Sequence, residues 1–481
     1  MTDYKNLLFD KSFVDGEWVA EFEEKLDVKN PADGSSIGSI YNSGTGLLQN
    51  AIEAAHRAFV PWREKTAKER QAVLEKWFSL IIENKEAIAT IMTLECGKPL
   101  TESRGEVDYG ASFIQWFAEE AKRVYGDVIP GFSADRRVVV IRQPIGVVGA
   151  LTPWNFPLAM ITRKVAPALA VGCPVVIRPS EETPFTALAL AKLAQEAGFP
   201  AGVFNLIVSD EPAAIGEFLC ESELVSKISF TGSTRVGQLL SAQSASTLKT
   251  LSLELGGNAP FLVFDDADID AAVKGAIASK FRNAGQTCVC VNRFLVQDSV
   301  YDEFTRKFTE AVSQLKVGNG LDEGVQIGPL INKKAIDKTK SFVEDAKEKG
   351  GKIILGGEPI DDYFFQPTVI SEATTDMKFA KEEIFGPIAP IFRFHTDEEG
   401  VQMANDTIFG LASYIYTGSV TRSWKISEAL EYGMVGINEG IISTEVAPFG
   451  GVKYSGKGRE GSKYGIDDYT ELKYLCFGGV K

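Results

Sequence analysis

The segment FRNAGQTCVC, residues 281 to 290, sets two cysteines one residue apart behind a Gly-Gln-Thr turn and an arginine. A thiol held in such a turn can act as a nucleophile, and a guanidinium beside it can hold an anionic group. A buried loop with two small thiols fits the same pattern. Three more stretches combine chemistry with tight backbone. TPWNFP (152 to 157) sets Asn155 between aromatics and prolines, LELGGN (253 to 258) sets Glu254 before a glycine pair, and KEEIFGP (381 to 387) sets Glu383 and Phe385 near a turn. The glycine pair lets another backbone approach closely. Taken singly, each has a plainer use: Asn155 as a helix cap, Glu254 and Glu383 as solvated charges, Cys288 as core filler.

The chain has only two histidines. His56 lies in the helical pattern AIEAAHRAF, and His395 ends a strand-like run before acidic residues. Neither adjoins a motif, so a Ser-His-Asp triad, a Cys-His pair and a histidine-rich metal site are all disfavoured. A general base here is a carboxylate or a lysine. Two glycine motifs are decoys. GKGREG (456 to 461) matches G-x-G-x-x-G but does not lie between a strand and a helix. GVKYSGKG approaches a P-loop, yet Gly458 stands where Ser or Thr must hold magnesium. SFTGSTRVGQLL is the better phosphate site, because Gly232 and Ser233 open a helix directly after a strand.

These residues need a scaffold. A chain of 481 residues implies two or three domains. Its formal charge of 50 − 65 = −15 disfavours nucleic acid, while leaving a local arginine free to bind a small anion. Six cysteines without an even framework suit free thiols in a reducing compartment. With no basic-then-apolar leader and no apolar run long enough to span a bilayer, the expected location is the cytoplasm, away from membranes. Residues 47 to 123 read as helices. From 138 onward short β-branched runs alternate with helical patterns, such as FTALALAKLAQEAG between Thr183-Pro184 and Gly198. Such alternation implies parallel doubly wound sheets, and it recurs from about 255 to 445. The tail DYTELKYLCFGG alternates like a strand with no nearby partner. Pairing with another subunit and folding back onto this chain both remain open for it.

In their order and spacing, PWNFP, ELGGN, FxNxGQxC and EEIFGP resemble the aldehyde dehydrogenase superfamily over nearly the whole chain. MITRKVAPALA, KFRNAGQTCVC, APFGG and GREGSKYG are similar to its succinate-semialdehyde dehydrogenase branch. The resemblance implies an α/β fold with two doubly wound domains and a small β oligomerisation domain. Residues 1–122 and 143–254 would bind the cofactor, and 255–445 would be catalytic. Strands in 123–142 and 462–481 would join subunits into a homodimer or homotetramer, and 446–461 would connect them.

Within that resemblance Cys288 is the nucleophile, Asn155 with the Cys288 N–H holds the oxyanion, and Glu254 activates the hydrolytic water. A base in that role favours a free acid over transfer to coenzyme A. Arg282 stands where many relatives carry an aromatic, and burying it would be costly without a carboxylate partner. With Arg163 and Ser443 it would hold the carboxylate of a small semialdehyde. Glutarate or 2-oxoglutarate semialdehyde is the rival substrate, and a catalytically silent relative or a C-x-C metal protein is a more distant alternative. NAD or NADP would lie on Trp154, Asn155, Arg178, Pro179, Ser180, Glu181, Gly232, Ser233, Leu255, Glu383 and Phe385. Glu181 repels a 2′-phosphate and tilts the choice to NAD, whereas Arg178 argues for NADP. On an extended chain Cys290 would lie on the same side as Cys288, roughly 6.6 Å away, as a redox partner.

Overall fold

The computed structural model describes residues 4–480. Two hairpins open the chain, β1 (Ser12–Val14) with β2 (Glu17–Val19) and β3 (Lys25–Lys29) with β4 (Ser36–Tyr41). Four helices follow: α1 (Thr45–Arg63), α2 (Ala67–Glu83), α3 (Lys85–Cys96) and α4 (Leu100–Glu120). A two-stranded ribbon, β5 (Asp127–Ile129) and β6 (Arg137–Pro144), leads into the first α/β unit. That unit runs β7 (Val147–Leu151), α5 (Ala159–Val171), β8 (Val175–Arg178), α6 (Pro184–Ala197) and β9 (Phe204–Leu206). It continues through α7 (Pro212–Glu221), β10 (Val225–Thr231), α8 (Thr234–Gln243) and β11 (Thr250–Glu254).

The second unit begins with β12 (Ala259–Val263), α9 (Ile269–Phe281) and β13 (Val291–Gln297). Its remaining strands are β14 (Lys352–Leu355), β15 (Thr368–Ser371), β16 (Ile388–Phe394), β17 (Ala412–Tyr416) and β18 (Met434–Ile437). The short β19 (Gly456–Lys457) and the terminal β20 (Thr470–Phe477) close the chain.

Four sheets organise these strands, the smallest being the β3–β4 hairpin. The first has the order β19-β11-β10-β7-β8-β9-β1-β2 and the second β14-β15-β16-β13-β12-β17-β18. Each has a parallel centre, whose strands are buried on both faces and therefore almost wholly apolar. Neither sheet is purely parallel: β19, β1 and β2 extend the first in antiparallel sense, and β14 does so for the second. The β1–β2 hairpin turns at Asp15 (φ 52) and Gly16 (φ 84), the Asp-Gly turn whose left-handed residues match strand twist. The third sheet, β20-β6-β5, stands apart. The tail strand folds back on its own chain, pairing Thr470 with Pro144 through to Phe477 with Arg137.

Two features of the C-terminal region differ from the sequence expectation. Residues 463–469 form a helical turn, and its Ile466 and Tyr469 are buried in the core of the first unit. Gly456 (φ 133) lies against β11 where a Cβ would fall 1.9 Å from the Leu253 carbonyl, so Gly456–Lys457 is a strand edge beside Glu254.

The first parallel centre places the ends of β7, β8, β10 and β11 on one edge, where α/β sheets receive ligands. TPWNFP, RPSE, the Gly232–Ser233 turn and LELGGN all leave from there. α6 starts and stops at the expected residues, with Gly198 left-handed (φ 93). Its first N–H groups are capped by buried Glu95 of α3, which accepts from Phe185 and Thr186 at 2.8 Å.

Candidate active site

α9 ends at Phe281, and the chain then reverses through three successive left-handed residues, Asn283 (φ 51), Ala284 (φ 55) and Gly285 (φ 77). Strained backbone of this kind persists only where its surroundings over-determine it. Here Glu102 accepts the Asn283 N–H at 2.8 Å, and Gln286 donates to the Asn283 carbonyl at 3.1 Å while accepting the Ile331 N–H at 3.0 Å. A Cβ on Gly285 would lie 2.3 Å from the Gly386 carbonyl. The loop delivers Cys288, partly exposed, into the cleft between the two units. No acceptor among the described residues takes the Cys288 backbone N–H. Its carbonyl packs against Gly257, where a Cβ would come within 2.4 Å, and this close approach is what the glycine pair of LELGGN permits.

Residues 287–290 are not extended. The Cys290 N–H donates to the Thr287 carbonyl at 3.0 Å, closing a turn. The buried Cys290 thiol faces Lys280 Nζ at 3.5 Å. The strand geometry expected to set Cys290 beside Cys288 is therefore replaced by a turn, in which alternation of sides does not hold.

Asn155 is buried, and its Nδ2 donates to the Gln286 carbonyl at 3.0 Å, which joins the two units at the nucleophile loop. Glu254 is also buried, and its Oε2 has no protein partner. Burial, reinforced by the nearby Glu460 carboxylate, raises Glu254 well above the usual carboxylate range. That direction suits a general base working near neutrality. Glu460 is held low instead: Lys164 and Arg163 both pair with it and outweigh its burial. Burial pushes the Cys288 thiol up to about 12, with Arg163 the largest opposing influence. The resting thiol is protonated, so a base must take its proton as it reacts.

Beyond Cys288 the cleft becomes cationic. Arg282 is half-buried, its guanidinium 5.1 Å over the Phe156 ring, with no carboxylate of the described residues in ion-pair range. Arg163 is fully enclosed, 2.8 Å from Glu460 and stacked 3.8 Å from Phe449, so its guanidinium does not face solvent. Between them sits a residue the sequence reading missed. The Tyr109 hydroxyl lies 3.5 Å from Arg163 Nη1. Burial raises this phenol, while Arg163, Arg282 and the Ser443 hydroxyl act on it in the opposite sense. Tyr109 shares one face of α4 with Glu102, Glu106 and Phe113, at the i, i+4, i+7, i+11 spacing of a helix. That periodicity was available in ESRGEVDYGASF, but nothing local says which element the face meets. Glu460 and Lys164, also missed, lie inside GREGSKYG and TRKVAP.

The cofactor side shows a second signature. Thr152 Oγ1, Asn155 Oδ1, Arg178 Nε, Thr231 Oγ1 and Glu254 Oε2 are all buried without a partner. They occupy the ends of four adjacent strands, and unpaired buried polar atoms concentrated like this fit a polar ligand. Trp154 meets Phe385 edge-on at 5.8 Å, and Ser233 caps α8. Gly232 donates to the Glu254 carbonyl at 3.0 Å, and Leu255 to the Ser455 carbonyl at 3.0 Å. Pro179 and Ser180 are buried, and Glu181 accepts from Arg178 at 2.6 Å. Glu383 accepts the Gly257 N–H at 3.0 Å, so it is not a solvated charge. These residues fit a dinucleotide. His56 and His395 are both exposed and remote from the cleft.

A partly exposed thiol with a free backbone N–H, a buried carboxylate and a strand edge of unpaired polar atoms suit the site of an oxidoreductase. The model of the aldehyde dehydrogenase family matches residues 18–475, and the chain belongs to that family. It is 58% identical over 473 residues to a succinate semialdehyde dehydrogenase of Acinetobacter baylyi, covering 98% of each chain. It is 56% identical over 467 residues to a glutarate-semialdehyde dehydrogenase of Pseudomonas putida, covering 97% of each. A crystal structure of an E. coli NADP-dependent enzyme superposes with a TM-score of 0.97 at 56% identity, covering 98% of this chain and 99% of that one.

Alkylation tests the electrostatics of the thiol directly. In the free enzyme, iodoacetamide labelling of Cys288, followed by peptide mapping, is expected to rise about tenfold per pH unit between about pH 7 and 9 without levelling. A plateau near the ordinary cysteine range would show the thiol to be unperturbed.

Proposed function

We propose that this enzyme oxidises succinate semialdehyde to succinate with NAD(P)+. The single observation that carries the substrate is Arg282, a half-buried guanidinium without a carboxylate partner at the mouth of the cleft. Burying such a cation unpaired is unfavourable, and the carboxylate of the substrate completes it. Arg163, Ser443 and Tyr109 complete the anion site, Arg163 with part of its charge already engaged by Glu460.

Cys288 attacks the aldehyde carbon as its proton is removed, and the carbonyl oxygen becomes an oxyanion. The free N–H of Cys288 and the remaining Asn155 amide N–H receive that charge; losing one such donor typically costs about 3–4 kcal/mol. Trp154, Arg178, Pro179, Ser180, Glu181, Gly232, Ser233, Leu255, Glu383 and Phe385 would hold NAD(P)+, which would accept the hydride that leaves the aldehyde carbon as the oxyanion collapses to a carbonyl. The resulting thioester on Cys288 is hydrolysed by water that Glu254 deprotonates, releasing the acid and restoring the thiol.

The test compares succinate semialdehyde with butanal. Each hydrogen bond to a charged group contributes about 1.5–3 kcal/mol, and about 1.4 kcal/mol is tenfold in rate. Arg282→Leu is therefore expected to lower kcat/KM for the semialdehyde at least ~100-fold and Tyr109→Phe about 10-fold, with butanal little affected. Equal losses on both aldehydes would sink the anion site. Glutarate semialdehyde in the same assay decides the chain length.

For the cofactor, Glu181 favours NAD, because its carboxylate occupies the Arg178 guanidinium that a 2′-phosphate would need. Initial rates should be higher with NAD than NADP, and Glu181→Ser should shift the ratio towards NADP; a wild-type preference for NADP overturns this reading.

The β5–β6–β20 sheet carries exposed Val128, Ile129, Leu472, Tyr474 and Phe477. Cross-strand register puts Ile129, Leu472 and Tyr474 on one face and Val128 and Phe477 on the other, and exposed apolar side chains of this kind suit burial against another copy, as a homodimer or homotetramer. A monomer in sedimentation at micromolar concentration would remove that assignment. No helix among the described residues is long and apolar enough to cross a membrane, and six unpaired cysteines fit a reducing cytoplasm.

A further inference from the structure

Lys98 lies in the turn between α3 and α4, and its side chain is wholly enclosed (0% exposed), paired with Glu106 (1%). Replacing a buried lysine–glutamate pair by packed apolar side chains is often neutral or stabilising, so such a pair is weak evidence of a stabilising role. What its donors reach is more informative. Lys98 Nζ donates to the backbone carbonyl of Asn155 at 2.7 Å and lies 3.9 Å over the Phe156 ring. Asn283 Nδ2, from the nucleophile loop, donates to the same carbonyl at 3.0 Å, and the Cys96 thiol approaches it at 3.7 Å. Meanwhile Glu106 Oε1 accepts the N–H groups of Leu158 and Ala159, at 3.0 and 3.2 Å, where α5 begins. One ion pair thus grips both ends of the stretch 155–159. The Asn155 side chain is held separately, by the Gln286 carbonyl of the other unit.

Resting on the reading of Asn155 as an oxyanion donor, we propose that Lys98 and Glu106 are positioning residues for that donor. Neither touches the substrate. Lys98 orients the peptide that carries Asn155, and Glu106 orients Lys98 while anchoring the start of α5. A donor must be held to within about half an ångström to act on a developing charge, and a displacement near 1 Å can cost about 100-fold in rate.

The charged and titratable groups around Lys98 are Glu95 and Cys96 on α3 and Glu102 and Glu106 on α4, with Arg282 beyond Glu102. Residues 152–158 contribute none.

The test is a double-mutant cycle between the pair and Asn155. Lys98→Met with Glu106→Gln removes both charges and leaves an oxygen to cap α5. With succinate semialdehyde as probe, this variant is expected to lose about 10- to 100-fold in kcat with KM for the dinucleotide within about threefold. In an Asn155→Ala background the same two changes should cost less than about threefold, because the donor they position is gone. An equal loss in both backgrounds, or wild-type kcat in the charge-free variant, overturns the proposal. Wild-type kcat in Asn155→Ala alone would instead remove the oxyanion reading beneath it. If the charge-free variant does not fold, Glu106→Gln alone decides. A buried lysine without its counter-ion gives up its proton more readily. Its kcat should then fall reversibly at alkaline pH where the wild type does not, and a pH profile parallel to wild type overturns the proposal.

Discussion

The hydrogen bond from the Asn155 amide to the Gln286 carbonyl is the point on which the catalytic geometry depends. It joins a loop at the end of β7 in one sheet to a loop leading into β13 in the other. Neither sheet can make the proposed reaction centre alone, because the orphan N–H of Cys288 and the Asn155 amide belong to different units. Covalent catalysis asks for reacting groups placed to fractions of an ångström. A junction between two separately packed cores would ordinarily be softer than that.

Much of the buried polarity acts against this softness. Glu95, Glu102 and Glu106 are spaced along α3 and α4, and each accepts backbone N–H groups from a different loop or helix start around the cleft. Burying three carboxylates on one wall is unfavourable unless each is hydrogen-bonded. Burial raises Glu95 to about 8 and Glu102 to about 7, so both carry less negative charge at neutral pH than ordinary carboxylates, Glu95 the least. Glu460 behaves in the opposite way. Arg163 and Lys164 favour its ionised form, and its charge in turn adds to the rise that burial imposes on Glu254.

A second economy concerns the arginines. Arg163 is enclosed and already paired with Glu460, whereas Arg282 has only an aromatic face beneath it. The two guanidiniums therefore differ in what a substrate carboxylate gains from each. In the proposed anion site the unpaired one gains more from a substrate carboxylate, while the paired one already has a partner.

The order and type of the catalytic stretches were legible in the sequence, and so were most of the elements that carry them. Continuous β-branched runs, a Pro-led and Gly-ended α6, and glycine pairs beside Glu254 are local signals, set by backbone conformation within a few residues. The N-terminal hairpin is equally legible in its Asp15-Gly16 turn. The family followed from motif order alone. Tertiary structure decided the rest. The turn at 287–290 separates Cys290 from the geometry an extended chain would give it, because the chain must first reverse through left-handed residues that distant groups hold in place. The tail strand's partner, the placing of Tyr109 between two arginines, and the Lys98–Glu106 grip on Asn155 all join residues far apart in the chain. A helix's period shows that Tyr109 and Glu106 share a face, but only packing shows that the face meets Arg163 and the start of α5.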